Sequence, residues 1–179
     1  LYTLVSANEV DCRTEKDLNV ILRPKPNIKL GSDTSLCPWQ TLTLNAGIHS
    51  SYIWSNGTTN PTININAGNP STNSITKYIV TVKNEFNCSS KDSVIVTVFA
   101  AVKASIFANV NSVCKGDSVV ITASGGQIYK WTDSGTNTLN STSQAKVSAK
   151  PLSNIIYRVE VSNASCPDLK DIQSIEIKL

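Results

Sequence analysis

Methionine is absent from the 179 residues, histidine occurs once, and only 16% of the residues carry charge. Each shortage removes a class of function. With a single histidine and no Cys-X-X-Cys spacing, the sequence has no zinc signature. No apolar run approaches the roughly 20 residues a membrane-spanning helix needs, so direct membrane insertion is not expected. The net charge of +3 is spread without a basic cluster, which leaves nucleic-acid binding without its electrostatic footprint. No glycine-rich phosphate loop occurs, and no window of 11 residues carries a helical period. The opening stretch LYTLVSANEV has no basic end before an apolar core, so it is not a signal peptide; the chain reads as an excerpt from a longer protein.

What is abundant is small, polar and β-branched. Ser, Thr and Asn together supply 58 residues, about a third of the chain. Such a composition suits strands with one solvated face. KYIVTVKN, DSVIVTVF, DSVVITAS and IYRVEVSN alternate apolar and polar residues with period two, and the turn signals SNG, AGNP, SGG and DSG separate them. The chain reads as all-β.

A repeat organises it. Tyr52 and Trp54 recur as Tyr129 and Trp131, 77 positions on, and Cys37 and Cys114 each precede their tryptophan by 17 residues. Later in each copy a strand opens with tyrosine and runs through a turn to a cysteine, Tyr78 to Cys88 and Tyr157 to Cys166. The same closing unit starts the chain, Tyr2 to Cys12. These matches divide the sequence into the last hairpin of a preceding repeat (1–23) and two whole repeats (24–100 and 101–179), with RPKP and AAVK at the joints. An isolated hairpin is marginal in water, so residues 1–23 should be ordered only against a neighbour. Roughly seven short strands per repeat, an early Trp and a late Tyr are the profile of tandem immunoglobulin-like β-sandwiches. Trp54, Trp131, Tyr78 and Tyr157 are the expected core.

SVCKGDSVVITASGGQIYKWTDSG, followed by YRVEVSNASC, resembles the PKD-like and Ig-like repeats of large surface proteins in the Cytophaga–Flavobacterium group, of which the gliding-motility adhesins are the best-known bearers. The matching elements are Cys114 to Ser118, the turn at 123–126, Trp131, Tyr157 and Cys166. The first repeat is looser: CPWQ replaces Cys-X-Gly-Asp, so Trp39 stands where the second repeat has Gly116. The resemblance implies export to the cell surface by the type IX route.

Five cysteines in such a chain imply disulfides. Two schemes stand. Within repeats, Cys37 would pair with Cys88 and Cys114 with Cys166. Against this, the first cysteine of each pair precedes the second strand of a sandwich, at the end opposite the late hairpin. Six or seven strand residues span ~20 Å, whereas a disulfide needs Cα atoms within about 7 Å. Between repeats, Cys37 would pair with Cys166, Cys88 and Cys12 with modules upstream, and Cys114 with one downstream.

Other residues with chemical potential read more plainly as structure. His49 matches Gly126 of the second repeat and belongs to a turn. No nucleophile elbow, Cys-His pairing or placed carboxylate pair accompanies it, so no catalytic residue is assigned and enzymatic activity is not expected. Trp39 lies outside the repeat and reads as a joint residue, a platform for a sugar ring or an incidental aromatic. Asp11, Glu15, Asp17, Asp92, Asp168 and Asp171 lie near module ends. They read as solvated turn charges, Ca²⁺ at the joints being the one cofactor their oxygens would suit. Asp92-Ser93-Val94 and Asp117-Ser118-Val119 resemble a short bacterial O-glycosylation motif and read equally as strand starts. The expectation is therefore a non-catalytic stalk segment of a repetitive cell-surface adhesin, holding a terminal adhesive region away from the outer membrane. Its partners would be neighbouring repeats and surface polysaccharide or other surface proteins. The alternative is spacer or carbohydrate-binding modules of a secreted polysaccharide-degrading enzyme.

Overall fold

The computed structural model describes residues 2–7, 13–134 and 137–179, and among them every regular element is a strand. β1 (Tyr2–Ala7) and β2 (Arg13–Leu18) form an antiparallel pair, with Tyr2 opposite Leu18. Cys12 and Asp11, which fall between these strands in the sequence, lie outside the described residues.

The next six strands are β3 (Thr34–Leu36), β4 (Thr41–Asn45), β5 (Ser51–Trp54), β6 (Thr62–Asn66), β7 (Ser74–Lys83) and β8 (Ser89–Val98). They form a four-stranded sheet ordered β3-β8-β7-β5 and a two-stranded sheet of β4 and β6. β3 runs parallel to β8, with Thr34 opposite Val96 and Leu36 opposite Val98. The last six are β9 (Ser105–Ala108), β10 (Val119–Ser124), β11 (Ile128–Thr132), β12 (Lys146–Ala149), β13 (Ile155–Asn163) and β14 (Cys166–Ile177). Their sheets are ordered β12-β10-β9 and β11-β13-β14. Lettered along the chain, these are the E-B-A and C-F-G sheets of an immunoglobulin-like sandwich. The earlier set differs in that its first strand has crossed to pair with G.

Among the described residues six strands appear in each set where seven were expected, and the one not seen is D. In the first set only residues 55–61 connect β5 to β6, too few to form a further strand. In the second set residues 133–145 make that connection and contribute one isolated bridge, Leu139 to Ala149.

Two compact units are present, residues 1–31, 44–63 and 78–94 in one and 32–43, 64–77 and 95–179 in the other. In the first, Leu44, Trp54, Ile63, Val80, Val82 and Val94 are buried. Trp54 lies opposite Val80 in the β5–β7 ladder. In the second, a continuous core is built from Val119, Ile121 and Ala123 of β10, Val147 and Ala149 of β12, Trp131 of β11, and Tyr157, Val159 and Val161 of β13. Every second residue of β10 and of the start of β13 is buried, as the period-two pattern dictates.

Candidate functional site

The turns that carry Cys37 and Cys114 are built alike. In Cys37-Pro38-Trp39-Gln40 the Gln40 N–H donates to the Cys37 carbonyl at 3.1 Å, and in the second turn Asp117 N–H donates to Cys114 at 3.0 Å. Their third residues, Trp39 and Gly116, have φ of 69° and 96°. A hydrogen-bonded turn with positive φ only at its third position is type II, for which glycine is the usual occupant there and proline is favoured just before it. Gly116 and Pro38 fit that rule. Trp39 breaks it, at roughly 1–2 kcal/mol of steric cost. The surrounding backbone fixes the turn: Trp39 N–H donates to Gly68 O at 2.7 Å, and Ala67 N–H to Gln40 O at 3.0 Å. The Gln40 side chain accepts from Cys37 N–H at 2.8 Å.

Cys37 is bonded to Cys166, 129 positions away, with Cα atoms 5.8 Å apart. The within-repeat pairing, Cys37–Cys88 with Cys114–Cys166, is not formed; Cys88 and Cys114 are free thiols. Strand length is the reason. Cys166 opens β14, whereas the Cys114 turn lies by its other end, where Val113 N–H donates to Lys178 O at 3.0 Å. The 12 residues of β14 put those ends roughly 35 Å apart.

Trp39 is 68% exposed. Beside it lies a cleft of about 310 Å³ lined by Pro38, Asn69, Val102, Leu169, Lys170 and Asp171. Lys170 is engaged by Glu160 at 3.2 Å. The Asp171 carboxylate accepts from Ala104 N–H and Ile172 N–H, each at 2.8 Å. Asp92 does the same for Leu30 N–H and Ser93 N–H at 2.8 Å. These two acids, considered as calcium ligands, are committed to backbone donors at repeat-equivalent places. Asp17 accepts from the Thr3 hydroxyl at 2.8 Å. No group of three His, Cys, Asp or Glu suited to a metal occurs among the described residues.

Of the expected core residues, Trp54 and Trp131 are each 2% exposed and Tyr157 is fully buried. Tyr78 is only half-buried. The Tyr157 hydroxyl meets Thr138 Oγ1 at 2.8 Å, and Thr138 donates to the buried Asp133 carboxylate from its N–H at 2.6 Å and its hydroxyl at 3.0 Å. That network belongs to the longer 133–145 connection, and the short 55–61 connection has no counterpart to cover Tyr78. Burial alone would raise the Asp133 carboxyl. Hydrogen bonds from Thr138, from Asn137 and from its own backbone outweigh that and hold it below the usual carboxylate range. Burial, opposed by the Thr138 hydrogen bond and reinforced by the Asp133 charge, pushes Tyr157 up.

Sequence reasoning missed the role of the tyrosines in Tyr-X-Trp. Tyr52 OH donates to Gly47 O at 2.9 Å and accepts from His49 N–H at 2.7 Å, while Tyr129 OH donates to Gly126 O at 2.8 Å. Each closes the turn before its own strand. The 77-residue offset of both aromatics was the available signal. His49 lies edge-on to the Tyr52 ring, centroids 6.0 Å apart, as part of that turn.

The strand orders define a protein of the immunoglobulin-like all-β class. No family model and no curated protein matches the chain. Among solved structures it is similar to murine CEACAM1b (13% identity, TM-score 0.41, covering 80% of this chain and 94% of that one). It is also similar to the amphioxus IgVJ-C2 molecule (14%, 0.46, 81% and 99%). A third similar structure is the N-terminal four Ig domains of Dscam1 isoform 1.9 (15%, 0.44, 99% and 53%).

Proposed function

We propose that residues 24–100 and 101–179 are consecutive repeats of a secreted, non-catalytic stalk that transmits tension, of the kind found in gliding-motility adhesins exported by the type IX route. The observation that carries the reading is the Cys37–Cys166 bond. A disulfide belongs to an oxidising compartment. Its placement also reroutes force. Tension applied at the two ends passes from Cys37 directly to Cys166, so residues 38–165, with Trp54 and Trp131 among them, lie outside the covalent path. Single-molecule stretching of the intact chain tests this. Reduction should add roughly 430–460 Å of extensible length, the reach of the 129 positions between the cysteines. Equal contour lengths with and without reductant would remove the basis for the proposal.

Trp39 favours a second reading, carbohydrate-binding or spacer modules of a secreted polysaccharide-degrading enzyme, because an indole 68% exposed beside a polar cleft suits a sugar face. A glycan array with the chain and its Trp39→Ala variant decides it: binding that disappears with the indole supports this reading, and no binding dismisses it.

A further inference from the structure

We propose that the cleft beside Cys114 is the docking seat for the Cys88 turn of a second copy of this chain, the two thiols then closing a disulfide between copies. This deepens the stalk reading by naming the partner of the two unpaired cysteines.

The argument rests on a bonded precedent within the molecule. The Cys114 turn reproduces the Cys37 turn in its hydrogen bond and in its left-handed third residue. The Cys37 turn is occupied: Ser165, Cys166, Pro167 and Leu169 share its surface cavity, and Cys166 is bonded to it. Around Cys114 the corresponding surface is an open concavity of about 720 Å³, lined by Val110, Val113, Asp117 and Leu179 among others. Two of those residues, Val110 and Leu179, are 42% and 43% exposed. The seat therefore presents two apolar side chains, set among the polar Asn109, Ser112, Asp117 and Ser118, next to a free, exposed thiol.

Cys88 is the residue of this chain placed as Cys166 is. Cys166 opens β14 opposite Asn163, and Cys88 directly precedes β8. Its turn is pre-organised by Asn84, whose side-chain oxygen accepts from Phe86 N–H at 3.1 Å and Cys88 N–H at 3.0 Å. Asn84 N–H in turn donates to Cys88 O at 3.1 Å. The turn is one residue longer than its Cys166 counterpart and carries Phe86, 43% exposed, near its tip. Phe86 is the apolar group that would meet Val110 and Leu179. Seat and turn are different surfaces, so each copy that uses one keeps the other free, and association runs head to tail.

The bond needs an oxidant, and a small-molecule disulfide such as oxidised glutathione supplies it. The Cys114 thiolate attacks one glutathione sulfur, forming a mixed disulfide and releasing one glutathione thiolate. The Cys88 thiolate of the second copy then attacks the Cys114 sulfur and releases the other. One glutathione disulfide is reduced to two thiols for each protein disulfide formed, and the cysteines give up two protons.

The test uses the full chain with Cys12→Ser, incubated with oxidised glutathione, run on non-reducing gels and mapped by mass spectrometry. The expected result is a ladder of oligomers that lengthens with protein concentration and contains Cys88–Cys114 peptides. Cys88→Ser or Cys114→Ser alone should end it, and Phe86→Asp, with both thiols present, should slow it at least ten-fold. A chain that stays monomeric overturns the proposal. So do ladders made of Cys88–Cys88 and Cys114–Cys114 links, a Cys88–Cys114 link found in the monomer band, or indifference to Phe86→Asp. The Cys37–Cys166 peptide is read in every sample; its loss would strike the stalk reading, whereas its persistence in a monomer would strike only the docking seat.

Discussion

Trp39 and Gly116 occupy the same place in two copies of one turn, and only the glycine is at ease there. Replacing Trp39 by glycine should therefore raise stability by about 1–2 kcal/mol, measured by denaturant unfolding, because the left-handed cost disappears and little buried surface is lost. An unchanged or lower midpoint would mean that the indole contributes packing that its exposure does not suggest. Asp133 and Tyr157 make a second residue-scale prediction. The Asp133 carboxyl is lowered in the folded state, so its stabilising contribution is complete above the unfolded value near 4 and is lost as pH falls through the lowered folded value. The Tyr157 phenol is raised, so its contribution is complete below about 10 and is lost as pH climbs through the raised value. Melting temperature against pH should fall on both flanks. Asp133→Asn should flatten the acid flank and, by removing the charge that reinforces the Tyr157 shift, also soften the alkaline one.

At the scale of strands and turns, the unit repeated is a strand with its flanking turns tied to it by the two aromatic polar tips. Trp54 Nε1 donates to Asn60 O and Trp131 Nε1 to Gln144 O, both at 2.8 Å, so each indole ties its strand to the connection that follows. Truncating Trp131 to alanine removes a 2%-exposed side chain and this tie together, and should cost about 3–5 kcal/mol in chemical denaturation. The turn before β11 is equally constrained. Gly125 has φ of 100°, and a Cβ there would meet the Lys103 carbonyl; a Cβ on Gly126 would lie 2.5 Å from Val161 Cγ1. Gly125→Ala should therefore destabilise β10 and β11 beyond the ordinary glycine-to-alanine difference, visible as faster amide exchange in both strands. The alternation and the turn residues made these elements legible in the sequence. The half-exposure of Tyr78 was not, because it depends on how long a neighbouring connection is rather than on the tyrosine's own strand.

For the whole molecule, the decisive covalent feature closes a loop of 129 positions. In the chain-entropy account a loop of that size restricts the unfolded state by up to about 5 kcal/mol, and native disulfides more commonly contribute 2–4. Reduction, or Cys37→Ser, should lower the denaturation midpoint accordingly. Cys88→Ser in the monomer should leave it nearly unchanged, since Cys88 is already a free thiol. Equal sensitivity to the two substitutions would contradict the observed pairing.

Local chemistry was enough to specify the strands that form, though not the absence of D among the described residues, together with the repeat of 77 positions and the Trp cores. Each follows from side-chain period or a spacing along the chain. The same reading held two disulfide schemes open, because connectivity is a matter of which chain ends meet in space. Tertiary structure decided it by putting Cys166 and the Cys114 turn at opposite ends of a 12-residue strand and bringing Cys166 within 5.8 Å of Cys37. It also turned Trp39 outward, which no property of the tryptophan itself could fix, since burial is set by the surfaces that surround a side chain.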